Sequence, residues 1–258
     1  MSRPKKILTL DVGGTHVKMR LSGSRTERMF VSGPTLTPRS MVATVRAMCA
    51  DWRYDVLSIG YPGVVLHGKP VVEPHNLGNG WVGFSFAKAF GKPVRIVNDA
   101  VLQALGSYRR GRMLFLGLGT GLGSALIIDG VIEPTELAHL PYKHDRTYEE
   151  YVGERARKRL GGKKWRKAVM DVIGRLGKAL EVDEVVVGGG NAPRLKRLPK
   201  ATRRVPNSNA FIGGVRLWQV PEHPGRGSAL LGGRGRRRAP AGVSAPRRAP
   251  RRTAASSR

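Results

Sequence analysis

Four stretches of this 258-residue chain combine residue types that can hold and move a phosphoryl group. In Asp11-Val12-Gly13-Gly14-Thr15, glycines let backbone N–H groups approach phosphate oxygens with no β-carbon in the way, and the threonine adds a hydroxyl. The carboxylate of Asp11 can hold Mg²⁺ through water; equally, it can accept hydrogen bonds from a hairpin that needs positive φ. Gly117-Leu118-Gly119-Thr120-Gly121-Leu122-Gly123 has dinucleotide-fingerprint spacing, but that reading needs a helix next. The residues that follow, Ser124–Ile128, are a strand pattern, so a second phosphate-holding hairpin fits better. Asp99, after Asn98, is placed either to cap a helix or to accept a proton from an attacking hydroxyl. Glu136 and His139, spaced i, i+3, would share one side of a first helical turn. There they would bind neighbouring sugar hydroxyls, or Glu136 would complete a cap; as zinc ligands they are two short of a structural site.

The elements around these residues place them at strand ends. Ile7–Leu10 is a short apolar strand and His16–Leu21 alternates polar and apolar, so the two form a hairpin with its tip at Gly13-Gly14. Thr37 as N-cap and Pro38 at N1 open a helix with Met41, Val42, Val45, Met48, Cys49 and Trp52 on one face. A strand over 55–59 runs into Gly60-Tyr61-Pro62-Gly63. A helix over 84–90 precedes a strand over 94–97, which enters Asn98-Asp99 and an apolar helix over 100–107. The second half repeats the layout: strand 113–116, glycine turn, strand 124–128. A long helix follows, with Trp165, Ala168, Val169, Val172, Ile173, Leu176 and Leu180 on one face. Lys163, Lys164, Arg166, Lys167, Arg175 and Lys178 lie on the other, either a solvated face or a track for an extended phosphate chain. Strand 185–187 then enters Gly188-Gly189-Gly190. The expected architecture is α/β: two α/β domains, 1–97 and 98–220, with a cleft between them.

Composition narrows the class. One cysteine, Cys49, excludes a disulfide framework and points to a reducing, cytoplasmic setting. There is no signal-peptide h-region and no apolar run long enough to span a bilayer. The formal charge is +28, from 46 Lys+Arg against 18 Asp+Glu. Residues 221–258 hold ten Arg and one acid, and almost nothing to bury, so they read as a disordered basic tail. The rest of the chain is still strongly basic, which favours a polyanionic partner. The tail has no aromatic residues for base stacking, so no specific nucleic acid and no membrane is expected.

Taken in order, these motifs resemble the ROK family of repressors and sugar kinases in the actin/hexokinase-like superfamily. Asp11-Val-Gly-Gly-Thr15 and Leu118-Gly-Thr-Gly-Leu-Gly123 resemble its two phosphate motifs, and Gly60-Tyr-Pro-Gly63 its Gly-x-Pro-Gly segment. Asn98-Asp99-Ala100 resembles the catalytic loop, Thr135-Glu-Leu-Ala-His139 the sugar-binding segment and Gly188-Gly-Gly190 a third glycine site. Ala138 stands where the family usually has glycine. Within the family the chain is most similar to the polyphosphate-type glucokinases, which also lack the cysteine-rich zinc motif. The resemblance implies two actin-like, ribonuclease H-like domains. It implies a glucose-phosphorylating enzyme, with ATP-dependent transfer to another hexose or amino sugar, or a sugar-binding homologue without catalysis, as alternatives. Sugar hydroxyls would be held by Asn76, Asn98, Asp99, Glu136 and His139, with Asp99 taking the proton of the 6-hydroxyl. Gly13, Gly14, Thr15, Lys18, Gly119, Thr120, Gly121, Gly189 and Gly190 would hold the donor, polyphosphate and/or ATP. Asp11 would orient Mg²⁺ through water, with no zinc, and family habit implies a homodimer. A repressor would need a DNA-binding helix-turn-helix before the first strand, and residue 7 leaves no room for one.

Overall fold

A computed structural model describes residues 3–219; the basic tail lies outside them. In chain order the elements are β1 (Ile7–Val12), β2 (His16–Leu21), β3 (Glu27–Val31), α1 (Pro38–Met48), β4 (Val56–Tyr61), β5 (Val65–Leu66), β6 (Lys69–Pro70), α2 (Phe86–Phe90), β7 (Val94–Asn98) and α3 (Asp99–Ser107). Then come β8 (Arg112–Leu118), β9 (Leu122–Ile128), β10 (Val131–Thr135), β11 (Pro141–Lys143), β12 (Arg146–Thr147), α4 (Glu149–Val152), α5 (Glu154–Ala179), β13 (Glu184–Gly188), a 3₁₀ turn (Ala192–Arg194), β14 (Thr202–Arg204) and α6 (Asn209–Arg216).

Two five-stranded sheets carry the fold, ordered β3-β2-β1-β4-β7 and β10-β9-β8-β13-β14. In each, the first three strands in sequence run antiparallel and the other two join parallel to the first. The layout echo in the sequence is therefore a duplicated topology. The glycine hairpin of each half lies at the equivalent place, between the first and second strands of its sheet. The register is set by burial: Leu8, Leu10 and Val12 are fully buried, as are Val17 and Met19 on the paired strand, and a one-residue slip would turn these toward the wrong face.

Local signals act as their chemistry requires. Thr37 caps α1 in a reciprocal arrangement with Ser40, with Pro38 at the first helical position. The buried stripe of α5 is Trp165, Ala168, Val169, Val172, Ile173 and Leu176, the face read from spacing. Gly161 interrupts that helix at φ 73°, a conformation that favours glycine, so α5 is two helical segments joined at a kink.

The linear division at residues 97/98 does not describe the packing of α6. That helix follows the second sheet in sequence but lies against β1, β4 and α3. Buried Ser58 donates to the Gly214 carbonyl (2.7 Å) and accepts from the Trp218 indole (2.9 Å), so the returning chain is bonded to the first sheet. Helix α3 touches strands of both sheets and stands between the two halves. The α3–α6 crossing is a backbone contact. A β-carbon on Gly213 would run into the Leu102 carbonyl, and one on Gly106 into the Asn209 carbonyl.

Candidate active site

Asp99 is the first residue of α3, immediately after the end of β7, and Asn98 sets its position. The Asn98 side-chain carbonyl accepts the Ala100 N–H at 2.8 Å, capping α3, while its amide donates to the Gly63 carbonyl at 3.0 Å. One amide hydrogen of Asn98 remains for a ligand. Below Asp99 runs the end of β4, where a β-carbon on Gly60 would come within 2.8 Å of Leu102 Cδ2 and 3.4 Å of Asp99 Cα. Glycine there lets the strand pass under the Asn98–Asp99 turn. Replacing Asn98 by alanine should therefore cost about 1 kcal/mol of stability and lower turnover, because the chain entering Asp99 loses both tethers. Asn98→Asp, which keeps the cap, should retain more stability in thermal melts.

Burial pushes the Asp99 carboxyl up to about 7, helped by the negative charge of Asp11, and more weakly Glu136, against bonds from local N–H groups. Asp11, at the end of β1, is likewise pushed up to about 6 by burial, with Lys18 opposing and Glu27 adding to the rise. Lys18 is the cross-strand partner of Asp11, so their side chains leave the same face. Both carboxyls are raised by desolvation, and the charge of Asp11 adds to the rise at Asp99, which makes a place that favours a cation. Mg²⁺ commonly takes one or two carboxylates and completes its shell with water and substrate phosphate, and Asp11 and Asp99 match that donor set. Among the described residues no three His, Cys, Asp or Glu side chains converge into an all-protein metal cage.

In the first glycine hairpin the alternative reading, a turn that needs positive φ, does not hold. Neither Gly13 nor Gly14 has positive φ. What matters is proximity: a β-carbon on Gly14 would lie 3.1 Å from Asn76 Cβ, and one on Gly13 would lie 3.2 Å from the His16 carbonyl. Gly14 thus brings exposed Asn76 against the hairpin. The Gly13 N–H is used within the turn, on the His16 carbonyl (2.9 Å), as the Gly119 N–H is on Gly121 (3.1 Å). In these turns it is Gly14, Thr15, Thr120 and Gly121 whose amides are left to a ligand. Gly189, at φ 87°, packs against the Leu118 backbone and donates to Asn207 (3.0 Å), so it backs the second hairpin. Gly190 faces open space.

Glu136 and His139 are not on a helix. They lie in the loop after β10, closed by a turn from the Leu140 N–H to the Leu137 carbonyl (3.3 Å). Ser124 ties the loop to the sheet by accepting from Leu137 (3.2 Å) and donating to the Thr135 carbonyl (3.0 Å). These bonds hold the chain in a turn, which achieves the same juxtaposition: His139 Nε2 is 3.8 Å from Glu136 Oε1, with side chains 67% and 51% exposed. Burial raises the Glu136 carboxyl, His139 lowers it and Glu149 raises it further.

Glu149 is the residue that sequence reading missed. Its carboxylate accepts the Leu122 N–H (3.0 Å) and lies where a β-carbon on Gly121 would be, while its own N–H donates to the Ala138 carbonyl (3.0 Å). It therefore bridges the second glycine hairpin and the Glu136–His139 loop. Only its place in Tyr148-Glu149-Glu150-Tyr151, at the mouth of α4, could have drawn attention to it.

The model of the ROK family matches residues 7–134. The chain carries a ROK family domain. A polyphosphate glucokinase of Mycobacterium tuberculosis is 28% identical over 229 residues, covering 76% of this chain and 82% of the relative. The inorganic polyphosphate/ATP-glucomannokinase from Arthrobacter sp. strain KM shares the fold with a TM-score of 0.70 at 23% identity, covering 82% of this chain and 97% of that one. A ROK family glucokinase from Streptomyces griseus, solved with glucose and AMPPNP, has a TM-score of 0.64 at 16% identity, covering 82% and 98%. The duplicated sheets of this chain thus share the α/β fold of these solved sugar kinases.

Proposed function

We propose that this sugar kinase transfers the terminal phosphoryl group of polyphosphate or ATP to the 6-hydroxyl of glucose. The observation that carries the reading is Asp99: a carboxyl at a strand-to-helix junction, with its pKa pushed up to about 7 and the Asp11 and Glu136 carboxylates near enough to raise it. A base poised near the working pH can take a hydroxyl proton and release it again. The match to polyphosphate glucokinases over three quarters of the chain supports the substrate and donor classes.

In this mechanism Asn76, Asn98, Glu136 and His139 hold the sugar hydroxyls so that the 6-hydroxyl meets Asp99. Asp99 accepts its proton as that oxygen attacks phosphorus in line and the bond to the leaving phosphate breaks. The exposed amides of Gly14, Thr15, Thr120 and Gly121, with Lys18, carry the charge on the transferring group and the donor. Mg²⁺, held through water by Asp11, would neutralise donor phosphate charge when bound. Most of the remaining acceleration comes from fixing the two substrates in one geometry.

The test is a glucose 6-phosphate-coupled assay with Mg²⁺, run with polyphosphate and with ATP. Turnover with either donor sustains the reading; no turnover with either, at any of several hexoses and amino sugars, overturns it. A pH profile adds a second check. Only ionised Asp99 accepts the proton, so kcat/KM for glucose should fall about tenfold per pH unit below roughly 7 and level off above it. A flat profile between pH 5 and 8 would remove Asp99 from the role of base.

A further inference from the structure

The structure places a run of exposed cations on the two segments of α5, which begins at the second glycine hairpin. The N–H of Glu154, the first residue of α5, donates to the Thr120 carbonyl at 3.1 Å, so this helix starts on the second glycine hairpin. From there its exposed side carries Arg155, Lys158, Lys163, Lys164 and Lys167. None of the five has an ion-pair partner among the described residues. Their neighbours on the same helix do: Arg157 is bound to Glu154 (2.6 Å) and Arg175 to Asp171 (3.0 Å). Glu154 also feels Lys158 through space, so the cations with no carboxylate acting on them here are Arg155, Lys163, Lys164 and Lys167.

Arg155 and Lys158 stand on the segment that starts at the hairpin, and Lys163, Lys164 and Lys167 on the segment after the Gly161 kink. Like charges at i, i+4 destabilise a helix by a few tenths of a kcal/mol per pair. Lys163 and Lys167 are such a pair, and Lys163-Lys164 stand side by side. A helix that keeps this repulsion among Lys163, Lys164 and Lys167, with no carboxylate paired to them among the described residues, suits a ligand that brings several phosphates of its own. ATP has three, all needed in the cleft. A long polyphosphate has a tail that must leave it.

We infer that the exposed Lys/Arg side of α5 binds the non-reacting tail of a long inorganic polyphosphate whose terminal group lies at the second glycine hairpin, making the protein selective for donor chain length. This rests on the polyphosphate reading above. Electrostatic attraction of this kind concentrates a polyanion at the site and is screened by salt.

The test is the Lys163→Glu, Lys164→Glu, Lys167→Glu triple variant, with its glutamine counterpart as a milder second variant and thermal melts on both. All three positions are exposed and lie away from the residues assigned to catalysis. KM for long-chain polyphosphate should rise about tenfold in the glutamate variant, and less in the glutamine one. KM for ATP, tripolyphosphate and glucose, and kcat, should stay near wild type. Raising salt should weaken long-chain polyphosphate in the wild type more than in either variant. If wild type uses long polyphosphate and both variants keep its KM, tail binding on α5 is overturned and the donor reading stands. An equal rise for ATP also overturns it, because the charge would then act on any anion. If wild type uses ATP and no polyphosphate, the donor reading itself fails, and tail binding with it.

Discussion

Asp99→Asn should abolish transfer and at the same time make the protein more resistant to heat. The catalytic half of the expectation follows from the base: an amide cannot take the hydroxyl proton, and general-base catalysis is worth about 10²–10⁴-fold. The stability half follows from the same burial. The carboxyl ionises near 7 in the folded protein, against 3.8 ordinarily. From pH 4 to 7 the unfolded chain is ionised while the native state holds its proton, so native stability is progressively lost as pH rises, fully so above 7. Asparagine keeps the shape and has no charge to desolvate. The variant should therefore melt roughly 5 °C higher than wild type at pH 8, with the gain shrinking to nothing near pH 4. Melts at both pH values, beside the coupled assay, separate the two effects. A variant that kept near-normal turnover would sink the mechanism. One that lost both activity and stability at pH 8 would show Asp99 to be a structural carboxylate instead.

Gly213→Val should prevent accumulation of folded protein, or lower its stability by more than about 3 kcal/mol. Overpacking a core costs typically 1–3 kcal/mol when side chains can shift, but here the group in the way is the Leu102 carbonyl, a backbone atom inside α3. Opening this crossing would also loosen Arg216, whose guanidinium donates to the Leu105 and Tyr108 carbonyls at 2.7 and 2.9 Å and caps the end of α3. Because α3 begins with Asp99, a variant that does fold should have reduced kcat. Soluble yield, thermal melts and turnover read these in turn. Ile212→Val is the matched control: that side chain is 43% exposed on the same helix and should be close to neutral. Normal stability in Gly213→Val would mean the two helices cross less tightly than the structure has them.

Much of this was legible from the residues. The alternation in His16–Leu21 and the apolar run before Asp11 dictated a hairpin, because each side chain's face follows from the two-residue period of a strand. The Thr37-Pro38 start and the Trp165–Leu176 stripe carried their own caps and spacing. Each candidate site residue could be named because glycine, carboxylate and imidazole have few uses at the end of a strand, and the motifs kept a fixed order along the chain. The likeness of the two halves could be seen as layout, although little sequence identity supports it.

What the sequence could not supply were relations between distant segments. It allowed positive φ as the reason for Gly13 and Gly14, whereas the fold brings Asn76 against the hairpin. It suggested a helical turn for Glu136 and His139, but Ser124, on the strand before β10, holds them in a loop. Glu149 carries no local motif and matters only because α4 brings it between the two loops. The return of α6 to β1 and β4 lies beyond any local pattern, since a glycine that packs against a distant carbonyl looks like any other glycine. The raised pKa values of Asp11 and Asp99 belong to this class as well. Chain-local chemistry set which groups were available; only tertiary packing took the two carboxylates out of water together, and a carboxylate's pKa depends on what surrounds it rather than on its sequence neighbours.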